Sequence, residues 1–318
     1  MQSRRRPSTP ATIDKQLIMN NIQNTPGDTR TVGVIGLGLI GGSMAIDLKR
    51  RGFAHTVLGV ESDPIAAEAA KTIGLVDEVV SYDDCIQRAD IIVVAVPVGT
   101  AVKMVCDILD HFSAEEKALP AGADKIVIDV CSTKEQICKA TKYHPCRKQF
   151  VSTHPMAGTE YSGPWAAMPG LFDGRACIFA NAEESSPRAL RTIEEMYAVL
   201  NMRPLYMEAS QHDVHTAYVS HISHVTSFAL ALTVLDKEKD EKHIFDLASG
   251  GFSSTVRLAK SNADMWIPIL SQNRDNVLRV MDTYIEKMKE FREAIDEGDE
   301  ERIRELIEEA NKIKKILR

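Results

Sequence analysis

The feature that most constrains the fold of this chain is a glycine-rich turn between an apolar run and a helical pattern. The run Val32–Ile35 predicts a buried strand, and Gly36, Gly38 and Gly41 follow it in the order G-x-G-x-x-G. In such a turn the first glycine permits the tight bend, the second lets the backbone approach a pyrophosphate, and the third lets the helix pack closely on the strand. Phosphates then lie against free N–H groups at the helix start. The segment therefore predicts a dinucleotide site.

The acidic residue Glu61 supports this interpretation and indicates which dinucleotide binds. It follows the second predicted strand, Thr56–Val60, about 20 residues beyond the glycines, as this class of site requires. A carboxylate here accepts hydrogen bonds from both hydroxyls of an adenosine ribose and repels a 2′-phosphate, and no arginine follows it. The alternative is a solvated acidic residue after a strand. We expect NAD rather than NADP.

Predicted strands and helices alternate from Thr31 to Met207, which indicates an α/β fold with a doubly wound parallel sheet. Apolar runs such as Asp90–Pro97 are typical of parallel strands covered on both faces. Ligands of such sheets bind beyond the carboxyl ends of the strands. We expect a disordered extension at residues 1–30, a nucleotide-binding domain at residues 31–208 and an all-α domain at residues 209–318.

The second half of the sequence shows helical patterns and no strand pattern. Apolar residues at helical spacing predict long helices over Val214–Leu232 and Arg274–Ile295, with Gly298 ending the second and Asp299 capping a last helix. One face of that last helix carries the stripe Ile303, Leu306, Ile307, Ala310, Ile313 and Leu317. Such a stripe suits packing against another helix or a second subunit, so we expect a dimerisation domain and a homodimer.

Composition narrows the class of partner and the compartment. The net charge of −7 argues against a nucleic acid partner, and we expect no membrane span because no apolar run in the sequence is long enough for one. The first 30 residues contain Arg4–Arg6 but no apolar stretch typical of a secretory signal. The six cysteines are scattered and form no C-x-x-C motif, which favours free thiols in a reducing cytoplasm.

Three residues after predicted turns or strand ends have the chemistry of an active site. His154 follows a strand directly, where it can accept a proton near neutral pH, or alternatively bond only to backbone. Ser132 follows another strand and can hydrogen-bond to a substrate and to His154, or cap a helix from Thr133, or both. Arg257 follows a glycine pair and can clamp a carboxylate, or lie exposed on the surface.

The histidines of the helical half were weighed as metal ligands. His212 and His215 form an H-x-x-H pair, and His221 and His224 form another. No cysteine or carboxylate cluster completes a zinc site beside them. We therefore expect no metal.

Six segments together resemble the prephenate dehydrogenase family, over about residue 31 to the end of the chain. They occur in the family's order, which makes them far more specific than any one motif. The segments are Gly-Leu-Gly-Leu-Ile-Gly-Gly-Ser at 36–43, Val-Ala-Val-Pro at 94–97, Asp-x-x-Ser-x-Lys at 129–134, His-Pro-Met-Ala-Gly-Thr-Glu at 154–160, Ser-His-x-x-His at 220–224 and Thr-x-Arg-x-Ala at 255–259.

The resemblance implies a Rossmann domain, a helical dimerisation domain, NAD, and oxidative decarboxylation of prephenate to 4-hydroxyphenylpyruvate in tyrosine biosynthesis. His154 would take up the proton of the ring hydroxyl, and Ser132 would orient His154 and touch the same hydroxyl. Arg257 would bind a substrate carboxylate, His224 would face the side-chain end of the substrate, and Thr159, Glu160 and Trp266 would line the pocket. The residues expected to hold the cofactor are Gly36, Leu37, Gly38, Leu39, Ile40, Gly41, Glu61, Val96 and Pro97.

One departure from the family pattern concerns the arginine. The family often has an acidic residue shortly before it, whereas Ser253 and Ser254 occupy that stretch here. Arg257 is then less fixed, or is held by another chain.

Other functions stay open at this point. The substrate can be arogenate, which carries an amino group where prephenate carries a keto group, and the motifs do not separate the two. A non-catalytic NAD-sensing protein would not need to keep His154, Ser132 and Arg257 together. Rossmann dehydrogenases of β-hydroxy acids also have an all-helical second domain, but they use a lysine where this chain offers Ser-His-x-x-His.

Overall fold

A computed structural model describes residues 29–115, 125–238 and 244–316 of the chain. The described chain forms two compact units, with the boundary between His212 and Asp213. The sequence analysis set the boundary between residues 208 and 209, directly after the last strand. Residues 1–28 of the expected disordered extension lie outside the described residues.

The first unit is built on one eight-stranded sheet with the order β3-β2-β1-β4-β5-β6-β7-β8. The order reverses between β1 and β4, so the chain winds outward in both directions from this pair, as expected of a doubly wound sheet. The strands are β1 Thr31–Ile35, β2 Thr56–Val60, β3 Glu78–Val79, β4 Ile91–Val94, β5 Ile126–Asp129, β6 Phe150–Pro155, β7 Ala176–Ala180 and β8 Arg203–Met207.

One pair of strands departs from the parallel arrangement of the predicted sheet. Strands β6 and β7 are antiparallel, with His154 opposite Ile178, while the other six pairings are parallel. Parallel neighbours need a crossover, which is usually a helix. Between β6 and β7 the structure shows only a short 3₁₀ turn, Pro164–Ala166, so the chain returns in the opposite direction.

Among the described residues of the first unit, six α-helices accompany the strands and one more begins at the end of the unit. The core is apolar: Val34, Val93 and Ile128 on neighbouring strands are fully buried, as are Met44 and Leu48 on the first helix. The helices are α1 Leu39–Arg50, α2 Pro64–Thr72, α3 Tyr82–Arg88, α4 Val98–Glu115, α5 Glu135–Thr141, α6 Pro187–Val199 and, at the end of the unit, α7 Ala209–Thr216.

The second unit is helical throughout the residues that the structure describes. Helix α7 continues through a π-helical turn, Ala217–His221, into the next helix. Gly298 ends the helix Arg274–Glu297 in a left-handed conformation with φ of 69°, and the Asp299 side chain accepts a hydrogen bond from the Arg302 N–H to cap the last helix, as predicted. The remaining helices are α8 Ile222–Glu238, α9 Gly250–Thr255, α10 Ala263–Gln272, α11 Arg274–Glu297 and α12 Glu300–Asn311.

The helical unit leaves much of its apolar surface exposed. Its buried cluster centres on Ala217, Val277 and Val280. On the stripe predicted for α12, Ile303 and Leu306 are half-buried, while the side chains after them are exposed. Leu317 of the predicted stripe lies outside the described residues.

One stretch corrects the expectation about membrane spans. The helix Ala209–Glu238 is long and apolar enough to cross a membrane, judged by length and composition alone. The expectation from the sequence is that no apolar run is long enough to span a membrane. Only 11% of its most apolar window is buried within the chain.

The three glycines of the turn differ in what surrounds them. Gly36 has a φ of +93°, which a residue with a side chain rarely adopts, so it permits the turn as predicted. A Cβ on Gly41 would collide with the Gly36 carbonyl oxygen and lie 3.0 Å from a Val34 methyl group. A Cβ on Gly38 would meet nothing within 4 Å.

These surroundings predict different effects on stability for two alanine substitutions. Gly41→Ala overpacks the contact between α1 and β1 and should lower the free energy of unfolding by about 1–3 kcal/mol or more. Gly38→Ala should leave thermal unfolding unchanged and should reduce only the stabilisation that added NAD⁺ confers. Thermal unfolding of both variants with and without NAD⁺ tests this. Equal losses of melting temperature without NAD⁺ would contradict the assignment.

Candidate active site

The candidate residues of the first unit lie along one edge of its sheet. Strands β2, β1, β4, β5 and β6 are consecutive neighbours and mutually parallel, so their carboxyl ends meet at one edge. Glu61 follows β2, the glycine turn follows β1, Pro97 lies shortly beyond β4, and Ser132 lies shortly beyond β5. His154 lies at the end of β6. Since neighbouring strands are about 4.8 Å apart, this row extends for roughly 19 Å, from Glu61 to His154.

The start of α1 fits a pyrophosphate. The helix begins at Leu39, and no side chain caps it at Gly38. The space that a Cβ on Gly38 would enter is open, so a ligand can approach the backbone N–H groups at this helix start. Leu37 is fully buried, and Ile40 packs at the margin of the core, so both side chains anchor the turn to the core.

Glu61 is held in place by backbone donors. One carboxylate oxygen accepts a hydrogen bond from the Leu37 N–H at 3.0 Å, and the other accepts from the N–H groups of Ser62 and Asp63 at 2.8 and 3.1 Å. These bonds tie the end of β2 to the glycine turn. Each carboxylate oxygen has two lone-pair positions, so the oxygen that accepts from Leu37 keeps one position for a ribose hydroxyl.

A buried ion pair underlies the next two positions in the row. Asp129 and Lys134 are both fully buried and form a salt bridge. The Asp129 carboxylate also accepts from the Ser152 hydroxyl at 2.9 Å and from the Cys131 N–H at 3.0 Å, and the Lys134 ammonium donates to the Thr153 carbonyl at 2.6 Å. Burial has the largest single effect on the pKa of Lys134 and lowers it, but the charge and hydrogen bond of Asp129, with smaller effects of neighbouring groups, together raise that pKa above its ordinary value. The pair therefore ties the loop after β5 to β6.

Ser132 lies in this loop between the two charged residues. It is half-buried, and the alternative that it caps a helix from Thr133 does not hold, because α5 begins at Glu135 with Lys134 at the capping position. Within the described residues the Ser132 hydroxyl makes no hydrogen bond, so the expected contact with His154 stays a prediction for the ligand-bound state.

The hydrogen-bond partner that the structure gives His154 is another histidine. Nδ1 of His154 lies 2.8 Å from Nε2 of His212, and the two rings meet edge to face. His154 is half-buried, and His212, in the first turn and a half of α7, is only 1% exposed. This contact fixes the orientation of the His154 ring at the end of β6.

The other pocket residues expected in the first unit lie near the same edge. Val96 is half-buried and Pro97 exposed, just before α4. Thr159 and Glu160 lie in the segment after β6, where the Thr159 hydroxyl accepts from the Tyr161 N–H at 3.3 Å. Thr159 is exposed and Glu160 half-buried.

The second unit carries a cluster of rings at the π-helical turn. His224 stacks on Trp266 with ring centroids 3.6 Å apart, and His221 meets the same indole edge to face. The His224 Nδ1 lies 3.0 Å from the Ser220 carbonyl, which can only accept, so Nδ1 carries the proton and Nε2 the lone pair. Burial lowers the pKa of His224, and the charge of Arg257 acts in the same direction.

Two polar groups of this cluster bear on the expected pocket. Trp266 is 6% exposed, and its buried indole N–H has no hydrogen-bond partner among the described residues. Arg257 begins a 3₁₀ turn, Arg257–Lys260, and its residue is exposed. An unsatisfied indole donor and a guanidinium each suit a carboxylate ligand.

The H-x-x-H pairs are assigned to hydrogen bonding in this structure. His212 contacts His154, and the His221 Nδ1 lies 3.1 Å from the Asn273 amide. Among the described residues, no group of three or more His, Cys, Asp or Glu side chains is placed to hold a metal ion.

Comparison with known proteins identifies the family. A profile described as "Prephenate dehydrogenase, nucleotide-binding domain" matches residues 44–205, and one described as "Prephenate dehydrogenase, dimerization domain" matches residues 208–309. The chain belongs to the prephenate dehydrogenase family.

Individual members of the family are similar over most of their length. The prephenate dehydrogenase of Bacillus subtilis (strain 168) is 29% identical over 275 residues, which cover 86% of this chain and 72% of the relative. A solved structure of prephenate dehydrogenase from Aquifex aeolicus, in complex with hydroxyphenyl propionate and NAD⁺, is 26% identical with a TM-score of 0.78, covering 92% of this chain and all of that one. The Synechocystis arogenate dehydrogenase structure is 26% identical with a TM-score of 0.69, covering 90% and 99%.

Two features of this prephenate dehydrogenase family member are not predicted from its sequence. The motif Asp-x-x-Ser-x-Lys is recognisable, but the pairing of Asp129 with Lys134 is not among the predictions; two opposite charges after a buried strand are the available signal. The sequence suggests His212 only as a metal ligand. Its pairing with His154, 58 residues away, left no local signal in the sequence.

The ion pair predicts a large difference between two lysine substitutions. Lys134→Met leaves the buried Asp129 carboxylate uncompensated and should lower the free energy of unfolding by about 3–5 kcal/mol. The control Lys139→Met removes an exposed ammonium that bonds Glu135 one helical turn away, and should cost less than about 1 kcal/mol. Urea unfolding of both variants measures this. Similar losses in the two variants would rule out a structural role for the buried pair.

Proposed function

We propose that this chain is an NAD-dependent dehydrogenase that converts prephenate to 4-hydroxyphenylpyruvate by oxidative decarboxylation, a step of tyrosine biosynthesis. The observation that carries the proposal is the order of residues along one edge of the sheet: Glu61 comes first, then the glycine turn, then Ser132 and finally His154. A dinucleotide bound on the turn, with its adenosine at Glu61, extends toward β5 and β6. Family membership and the NAD⁺ complex of the Aquifex aeolicus relative support the same reading.

The chain's own residues have distinct roles in the proposed reaction. His154 withdraws the proton of the ring hydroxyl, and Ser132 hydrogen-bonds to the same hydroxyl and holds it toward His154. NAD⁺, when bound, supplies the hydride acceptor. The hydride of the ring carbon that bears the hydroxyl would go to this acceptor. The ring carboxylate leaves as CO₂, its bonding electrons complete the aromatic ring, and the oxygen regains its proton from His154. The protein contributes positioning and charge placement rather than new covalent chemistry.

The substrate's remaining groups are assigned to the helical unit and to the segment after β6. Arg257 would pair with a substrate carboxylate, and the unsatisfied indole N–H of Trp266 would donate to the same class of acceptor. Thr159 and Glu160 would line the pocket near His154. Ser253 and Ser254 leave Arg257 without the usual acidic residue just before it in sequence.

A second candidate substrate is arogenate, and one observation favours it. His224 is expected to face the substrate side chain, and its Nε2 can only accept a hydrogen bond while the ring is neutral. The lowered pKa of His224 keeps the ring neutral at neutral pH. The amino group of arogenate donates hydrogen bonds, whereas the keto oxygen of prephenate accepts them. The similar Synechocystis structure is that of an arogenate dehydrogenase.

We also propose a cytoplasmic homodimer. The family profile that matches residues 208–309 describes a dimerization domain, and the exposed apolar residues of the helical unit suit a subunit interface. The same interface would cover the apolar helix Ala209–Glu238, which is mostly exposed in a single chain. All six cysteines are free thiols, in keeping with a reducing compartment.

The reaction is tested by NADH formation from NAD⁺ with prephenate and with arogenate in parallel. We expect turnover with at least one of them, and His154→Asn should lower kcat about 10²–10⁴-fold, because the variant cannot accept the proton. Activity of the wild type should fall at acid pH, where His154 is protonated. The control His55→Asn changes an exposed histidine outside the site and should have no effect. NAD⁺ binding without turnover of either substrate would instead support the NAD-sensing alternative.

Cofactor preference is tested at Glu61. The wild type should use NADP⁺ poorly, because the Glu61 carboxylate repels a 2′-phosphate. Glu61→Gln keeps an acceptor oxygen but removes the charge, and should improve kcat/KM for NADP⁺ relative to NAD⁺ about 10- to 100-fold. The control Asp63→Asn removes a neighbouring charge whose carboxylate caps α2, and should leave the ratio unchanged. An unchanged ratio in Glu61→Gln would refute the assignment.

The subunit interface is tested on the stripe of α12. Ile307 is 49% exposed in the single chain, and Ile307→Lys should weaken or abolish dimerisation by placing a charge in an apolar contact. The control Glu308→Lys alters the charge of the adjacent exposed residue and should leave a dimer. Size-exclusion chromatography with light scattering, at equal protein concentrations, compares them. If the Ile307→Lys variant remains a dimer, the interface lies elsewhere on the chain.

A further inference from the structure

The contact between His154 and His212 carries an inference beyond the general reaction. A hydrogen bond between two imidazole nitrogens has one donor and one acceptor, so its direction determines which nitrogen of each ring bears a proton. In a neutral histidine, only the nitrogen without a proton can act as a base. The direction of this bond therefore decides whether His154 can do what the proposed function requires.

We propose that His212 is a positioning residue whose Nε2 accepts a hydrogen bond from Nδ1–H of His154, so that the lone pair of His154 lies on Nε2. This inference rests on the proposed function, in which His154 takes up the hydroxyl proton; with Nδ1 bonded to His212, Nε2 is the atom that takes it up. In the opposite direction His154 would carry its proton on Nε2 and would be unable to act as the base. His212 thus selects the productive tautomer.

The environment of His212 suits such a role. Its side chain is almost completely buried, whereas His154 is half-buried and accessible to a ligand at the sheet edge. The start of α7 is anchored, because the Ala209 N–H donates to the Asn181 side chain at 2.7 Å, and the His212 N–H donates to the Glu208 carbonyl at 2.9 Å. A fixed helix start holds the His212 ring in one place relative to β6.

A neutral imidazole is also a suitable hydrogen-bond partner for a histidine that becomes charged during the reaction. When His154 becomes an imidazolium on taking up the proton, both of its nitrogens carry hydrogens, and the bond from Nδ1 to His212 becomes charge-assisted. A neutral imidazole can accept that bond without placing a permanent negative charge beside the base. His212 therefore contributes more to the charged state formed during the reaction than to the resting state. Its loss should be seen in kcat rather than in KM.

The kinetic test uses the full-length protein and three variants. His212→Leu removes the acceptor and should lower kcat about 10- to 100-fold, with little change in KM for substrate or NAD⁺. His212→Gln places an amide oxygen near the position of Nε2 and should restore most of kcat. His215→Leu changes the exposed histidine three residues along the same helix and should match the wild type. Full kcat in His212→Leu, or no recovery in His212→Gln, would overturn the proposal.

A spectroscopic test reads the tautomer without turnover. Protein labelled with ¹⁵N in its histidine rings is examined at mildly alkaline pH, and the signals of His154 are assigned by their absence in His154→Asn. We expect a protonated Nδ1 and an unprotonated Nε2 in the wild type and in His212→Gln. A protonated Nε2 in the wild type would overturn the proposal.

The two tests separate this inference from the proposed function. If the wild type oxidises neither prephenate nor arogenate, the proposed function is wrong, while the ¹⁵N signals still determine the direction of the bond. If the wild type is active and its His154 bears a proton on Nε2, the function stands and the role of His212 is wrong. If His212→Leu does not fold, His212→Gln and the wild-type signals still decide the outcome.

Discussion

The buried ion pair between Asp129 and Lys134 is the interaction on which the candidate active site depends. Two charges without solvent are tolerated only when each is fully engaged, and here the carboxylate and the ammonium also bond to Ser152, Cys131 and Thr153. These bonds connect the loop that carries Ser132 to the strand that carries His154. The two groups assigned to the substrate hydroxyl therefore share one rigid support beneath them. A softer support would let their spacing vary, and proton transfer tolerates little variation.

The two units of the chain obtain their stability differently. In the first, strands with fully buried side chains such as Val34 and Ile128 form a continuous core between layers of helices. The buried cluster of the second unit is small, and long apolar side chains such as Ile267 and Ile295 are more than 60% exposed. Because burial of apolar surface is the main stabilising contribution, a homodimer would complete the second unit. On this proposal, the residues expected to bind the substrate side chain lie on a unit that assembly stabilises.

The polar groups of the two units also differ in what a ligand would supply. His154 in the first unit already has a partner for Nδ1, and Glu61 already accepts three backbone hydrogen bonds. In the second unit, the buried indole N–H of Trp266 has no partner among the described residues. These two polar groups of the first unit are thus hydrogen-bonded without a ligand. In the second unit, burial of the unpaired indole N–H costs free energy, and a hydrogen-bond acceptor on the substrate would offset that cost.

The sequence by itself determined the order of strands and helices, the glycine turn, the Gly298 and Asp299 helix boundary and the family, because these depend on periodicity and on residues a few positions apart. It also brought Glu61, Ser132 and His154 to one edge, since parallel strands align their carboxyl ends. Only the tertiary structure decided the antiparallel direction of β7, the pairing of Asp129 with Lys134 and the pairing of His154 with His212. The direction of β7 depends on the absence of a crossover helix. Both side-chain pairings depend on packing geometry, and periodicity carries no information about which buried polar groups meet.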